Sequence, residues 1–132
     1  MSRYQTEQDA LLAQAERDSD TLAAIRFGSF AREEPHPDSD LDICLVLDPR
    51  RGPFSAQDRV QKRIDYLAFN LDVQIFQSLP IYIRQRVLQE GQVVFVRDLS
   101  TLYDVALRTL QEYEDFRPIY NLYLDQVANA GS

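Results

Sequence analysis

The chain has 132 residues and a mass of 15.3 kDa, the size of one domain of the usual ~100–150 residues, so a second full domain is excluded. Hydrophobic residues make up 45% and charged residues 27%, an ordinary globular balance that excludes disordered, collagenous and coiled-coil classes. The net charge of −7 repels phosphodiester backbones and argues against direct nucleic-acid binding, though not against a nucleotide whose phosphates are screened by cations.

About two-thirds of the chain's surface can be buried at this size, so the core needs neither a disulfide nor a structural metal. Cys44 is the single cysteine. It cannot form an internal disulfide and fits a reducing cytoplasm. Its place in the apolar run Ile43 to Leu47 reads as a small core residue. The N-terminus is too polar for a signal peptide, and no apolar run approaches the ~20 residues that span a bilayer. The expectation is a cytoplasmic protein with no membrane segment.

Residues 4–18 have helical composition, with Leu11, Leu12 and Ala15 on one face. Leu22 to Phe27 is a short apolar run stopped by Gly28 and reads as a strand. Residues 28–39 form a small-then-polar connection containing Pro35 and Pro37. Leu41 to Leu47 is nearly continuous and apolar, the pattern of a strand buried on both faces. Pro49, Gly52 and Pro53 mark a loop. Ser55 and Asp58 have the spacing of a capping box, and Val60, Ile64, Leu67 and Ala68 recur behind it at helical spacing. Leu71 to Phe76 alternates, a strand with Leu71, Val73 and Ile75 inward. Pro80 opens a helix carrying Ile83, Val87 and Leu88, and Gly91 is placed to cap it. Val93 to Val96 is a fourth strand. Leu99 to about Val127 reads as one long helix or two, with Pro118 as the candidate break. The order α-β-α-β-α-β-α-β-α predicts an α/β domain, a small mixed sheet flanked by helices with a long helix at the C-terminal end.

One constellation carries chemistry. Gly28 ends the first strand, Ser29 follows it, and after ten residues Asp40-Leu41-Asp42 opens the second strand. Glycine at a strand end lets backbone approach a ligand and tolerates a positive φ. The N–H groups beyond it, with the serine hydroxyl, can receive a phosphate. Asp40 and Asp42 are two apart on a strand, so both carboxylates point to one face. Hard oxygen ligands less than ~7 Å apart suit Mg²⁺, which also accepts phosphate oxygens. The same face continues as Cys44 and Val46, so these acids do not belong to a polar outer face. Asp72 begins the third strand and lands beside the pair if the second and third strands are neighbours. Three clustered carboxylates repel one another unless cations neutralise them, which suits a two-metal site.

The stretch from Phe27 to Ile43, with Gly-Ser, ten residues and Asp-x-Asp, resembles the minimal nucleotidyltransferases of the polymerase-beta superfamily. The stretch from Ile83 to Asp98, a helix ending in Glu90-Gly91 before a Val-Val-Phe-Val strand, is similar to that family too. The resemblance implies the nucleotidyltransferase fold over residues 1–132 as a single minimal domain. It implies an antitoxin paired with a HEPN ribonuclease toxin in a hetero-oligomer, transferring AMP from ATP to a tyrosine of that toxin. Gly28, Ser29, Arg32 and Ser39 would hold ATP. Asp40, Asp42 and Asp72 would bind two Mg²⁺ ions, with Asp72 completing the site as base or its metal-bound equivalent. One position departs: Glu33 stands where the family often has glycine.

Two other readings stay open, transfer to a small hydroxylated molecule and a non-catalytic antitoxin that neutralises by occlusion. Relatives acting on small molecules use a further domain to hold the acceptor, and the expectation from this length is a chain without one. His36, the only histidine, lies between two prolines and reads as solvent-exposed. Arg32 and His36 are too close for the Arg-x4–6-His of HEPN nucleases. The aromatic stretch Tyr103, Tyr113, Phe116, Tyr120 and Tyr123 reads mostly as core, with a partner surface as the alternative.

Overall fold

A computed structural model of the chain describes residues 3–28, 41–69 and 71–130. The elements in order are α1 (Arg3–Arg17), β1 (Thr21–Gly28), β2 (Leu41–Leu47), α2 (Ala56–Asp65), β3 (Asp72–Ile75), a 3₁₀ turn (Phe76–Ser78), α3 (Ile81–Glu90), β4 (Gln92–Val96) and α4 (Leu99–Ala130). The strands form one mixed sheet in the order β3-β2-β1-β4. β1 pairs antiparallel with both β2 and β4, whereas β2 and β3 run parallel. A helix expected between the first two strands would fall at residues 29–40, outside the described residues.

The β2 sequence explains its central place. Ile43, Leu45 and Leu47 pack with Leu11 of α1, Tyr66, Val73 and Ile75 on one face. Cys44 and Val46 pack with Ile25, Phe27, Phe76, Val87 of α3 and Leu102 of α4 on the other. Every β2 residue from Ile43 to Leu47 is at most 1% exposed, as a strand covered on both sides requires. Gly91 ends α3 for a packing reason. A Cβ there would stand 2.5 Å from both Ile25 Cγ2 and Val87 O, so only glycine lets the helix end meet β1. Its φ is −78°, so the cap does not use left-handed backbone.

The capping box forms in full. Ser55 Oγ accepts the Asp58 N–H at 3.0 Å, and the Asp58 carboxylate accepts the Ser55 N–H at 2.9 Å. The helical spacing that follows does not lead into the core, because Val60, Ile64 and Leu67 are 59%, 49% and 65% exposed. α2 is tied down by its charged side chains. Arg59 donates to Phe54 O and Ser78 Oγ, and Arg63 donates to Val73 O. Lys62 bridges Asp18 and Asp20 at 2.9 and 3.3 Å, and the Tyr66 hydroxyl donates to Asp18.

α4 runs unbroken through Pro118. Proline removes one N–H and crowds the preceding turn. Pro118 is exposed, so water can take up the freed carbonyl of that turn. Rings also clamp the helix around it: Phe116 stacks on Tyr120 at 5.3 Å, and Tyr120 on Tyr82 of α3 at 5.5 Å. Among the described residues no helix is long and apolar enough to cross a membrane.

Candidate active site

The parallel register of β2 and β3 pairs Asp42 with Asp72. Directly paired residues on neighbouring strands share a face, at an interstrand spacing of about 4.8 Å. The burial pattern identifies that face. Val73 and Ile75 pack with Leu11 of α1 and with Tyr66 at the end of α2, so Asp72 points the other way, the side on which Cys44 and Val46 carry Asp42. Asp42 also pairs with Phe27 on β1, and Gly28 with Leu41. Gly28, Asp42 and Asp72 therefore meet at one end of the sheet, where β1 finishes and β2 and β3 begin.

Gly28 is the exposed last residue of β1. No described glycine has a positive φ, so Gly28 does not use the left-handed freedom expected of it. Ser29, Arg32, Ser39 and Asp40 lie outside the described residues, as do Glu33 and His36.

Asp42 is half-buried and Asp72 exposed. Beneath them Phe27 and Cys44 close the floor, at 7% and 0% exposure. Burial pushes the Cys44 thiol far up, and the nearby Asp42 charge adds to it. That thiol stays protonated and is a core residue, as its apolar run suggested. Asp72 Oδ1 accepts from Gln74 Nε2 at 3.0 Å and lies 3.8 Å from Arg63 Nη2, with both side chains about half exposed. Arg63 is the residue that sequence reasoning missed. Only its place in the last turn of α2, opposite an acidic strand start, could have pointed to it. At the edge of the same end, Arg26 donates to Gln92 across β1 and β4.

Two acceptor-only carboxylates side by side at a strand end are suited to hard cations with oxygen ligands. Among the described residues no group of three His, Cys, Asp or Glu side chains could hold a metal ion. Asp40, the third carboxylate of the expected set, is not among them.

Residues 10–100 match the polymerase beta nucleotidyltransferase family, a span that contains every strand and all three acids. The chain belongs to that family. A relative named as a candidate protein adenylyltransferase from Methanocaldococcus jannaschii is 30% identical over 82 residues, 62% of each chain. The chain thus spans under two-thirds of that relative's length. Solved toxin–antitoxin structures share the nucleotidyltransferase fold. The antitoxin in complex with a tri-AMPylated HEPN toxin of Shewanella oneidensis has a TM-score of 0.64 at 16% identity, covering 94% of this chain and 98% of that one. A toxin–antitoxin structure with AMP-PNP gives 0.62 at 19%, covering 90% and 97%.

Proposed function

We propose that the chain is a protein adenylyltransferase antitoxin. It moves AMP from ATP to a tyrosine hydroxyl of a HEPN-type partner in the cytoplasm, and residues 1–132 act as one minimal nucleotidyltransferase domain. The observation that carries this reading is the facing pair Asp42 and Asp72 beside Gly28, in a chain of the nucleotidyltransferase family. The names of the relatives point the same way: an adenylyltransferase, an antitoxin beside an AMPylated toxin, and a complex with an ATP analogue.

In this reading Gly28, Ser29, Arg32 and Ser39 hold the triphosphate, and Asp40, Asp42 and Asp72 hold Mg²⁺. The bound cations would supply charge neutralisation on the phosphates and on the attacking oxygen. The chain's own residues position the reactants. The acceptor oxygen bonds to the α-phosphorus, the bond to the β-phosphate bridge breaks, and pyrophosphate leaves. Asp72, more exposed than Asp42, takes the hydroxyl proton. Catalysis is then mostly alignment and electrostatics.

The test is incubation with a HEPN partner, Mg²⁺ and ATP labelled at the α-phosphate. Label should appear on a partner tyrosine with the wild-type chain and disappear with Asp42→Ala at unchanged thermal stability. Label on a small metabolite would point instead to the small-molecule reading. Transfer by Asp42→Ala at the wild-type rate would overturn the assignment.

A further inference from the structure

Beyond Tyr120, no described element of the chain covers α4. Upstream, Leu102, Val105, Thr109, Phe116 and Tyr120 recur along the helix at steps of three, four and seven residues and face α3 and the sheet. The same stepping continues through Tyr123, Leu124 and Val127, yet every side chain from Asn121 to Asn129 is exposed. Tyr123, Leu124 and Val127 are 62%, 43% and 53% exposed, and Ile119 and Leu122 beside them are 67% and 62% exposed. A helical segment of about ten residues is marginal in water without packing, and a contiguous apolar face of this kind marks an interaction site.

Charge selects the occupant. In this half of the helix Arg117 is taken by Glu114 at 3.0 Å. Asp115 and Asp125 have no basic partner among the described residues. A second copy would set the same acids against this face and bring a further −7 overall. A helix with basic flanks would match both the apolar stripe and the acids.

We propose that the face of α4 from Ile119 to Val127 is a docking surface for an amphipathic helix with basic flanks, presented by a different protein. This uses none of the residues of the transfer reaction and stands independently of it.

The test uses the whole chain and synthetic peptides roughly five helical turns long: an amphipathic Leu/Lys helix, its Leu/Glu counterpart, and a shuffled Leu/Lys peptide with no apolar face. Calorimetry should show saturable one-to-one binding of the Leu/Lys helix only. Hydrogen exchange should slow at the amides of residues 119–127. Tyr123→Ser with Val127→Ser, both exposed positions, should weaken binding at least about tenfold at unchanged melting temperature. Asp115→Lys with Asp125→Lys should reverse the preference toward Leu/Glu. The proposal is overturned if no peptide binds, if the shuffled or Leu/Glu peptide binds equally well, or if the variants bind like wild type. It is also overturned if the free chain sediments as a dimer that Tyr123→Ser with Val127→Ser dissolves, for then a second copy covers the face.

Discussion

At the end of the sheet where β2 finishes, carboxylates meet cations. Asp48, 2% exposed, is gripped by Arg50, which also reaches Asp98 at 2.7 Å. Asp18 and Asp20 share Lys62. Arg97 donates to the carbonyls of Ala15, Glu16, Asp18 and Thr21, closing the end of α1. At the opposite end Asp42 stands beside Asp72, and the half-exposed Arg63 lies 3.8 Å from Asp72. The first arrangement satisfies its charges internally and serves folding. The second sets two carboxylates on one face, an arrangement suited to an added cation, and neither belongs to the buried clusters. One end of the sheet is built for stability, and the other carries the acids of the proposed site.

The largest effect should come from the acidic end. Asp42→Asn should lower transfer at least about 100-fold, the scale of losing one group that stabilises developing charge. Its urea midpoint should stay close to wild type, because the side chain belongs to neither buried cluster. Labelled transfer and equilibrium unfolding measure the two halves. A variant that unfolds instead would show that Asp42 is structural and erase the contrast.

Lys62→Met should give the opposite pattern. Breaking a well-buried ion pair costs roughly 3–5 kcal/mol. Lys62 and Asp18 are 14% and 18% exposed, so about 2–3 kcal/mol is expected here. Urea unfolding should show that loss while transfer per folded molecule stays within about twofold, the small change expected of a residue remote from the chemistry.

The braced end should also set the acid limit. The Arg50 hydrogen bonds hold the Asp48 carboxyl below its usual range. A depressed carboxylate contributes stability that is present above the unfolded-state value of about 3.9 and is lost as pH falls through the folded-state value. Stability should therefore be flat from neutral pH to about 5 and fall below about 4. Asp48→Asn should flatten that acid limb in thermal melts across pH.

Sequence patterns reached one end of the sheet better than the other. The buried strand Leu41–Leu47, the Ser55 and Asp58 box, and the facing of Asp42 and Asp72 followed from periodicity and from a single assumption about neighbouring strands. The brace did not, because Lys62 meets Asp18 across 44 residues and no local pattern encodes that distance. For the same reason the spacing of Val60, Ile64 and Leu67 suggested an apolar face without showing that it stays exposed. The roles of Ser29, Arg32, Ser39 and Asp40 remain on the motif and the family.

The smallest expected effect concerns Pro118, where local preference argued for a break and tertiary contact overrode it. The clamp is the ring stack of Tyr82, Tyr120 and Phe116, at the start of α3. Tyr82 lies five residues beyond Gln77, whose side chain grips both backbone groups of Leu47, so the clamp belongs to the braced end but works through rings. An aromatic pair contributes about 0.5–1.5 kcal/mol beyond its buried area. Tyr82→Ala should therefore speed amide exchange across residues 119–127 by roughly fivefold, the equivalent of about 1 kcal/mol. Exchange at Leu102 to Thr109 should not change, because that stretch is seated on the core. Uniform acceleration along all of α4 would show that the helix opens as one unit, and that the proline position needs no clamp.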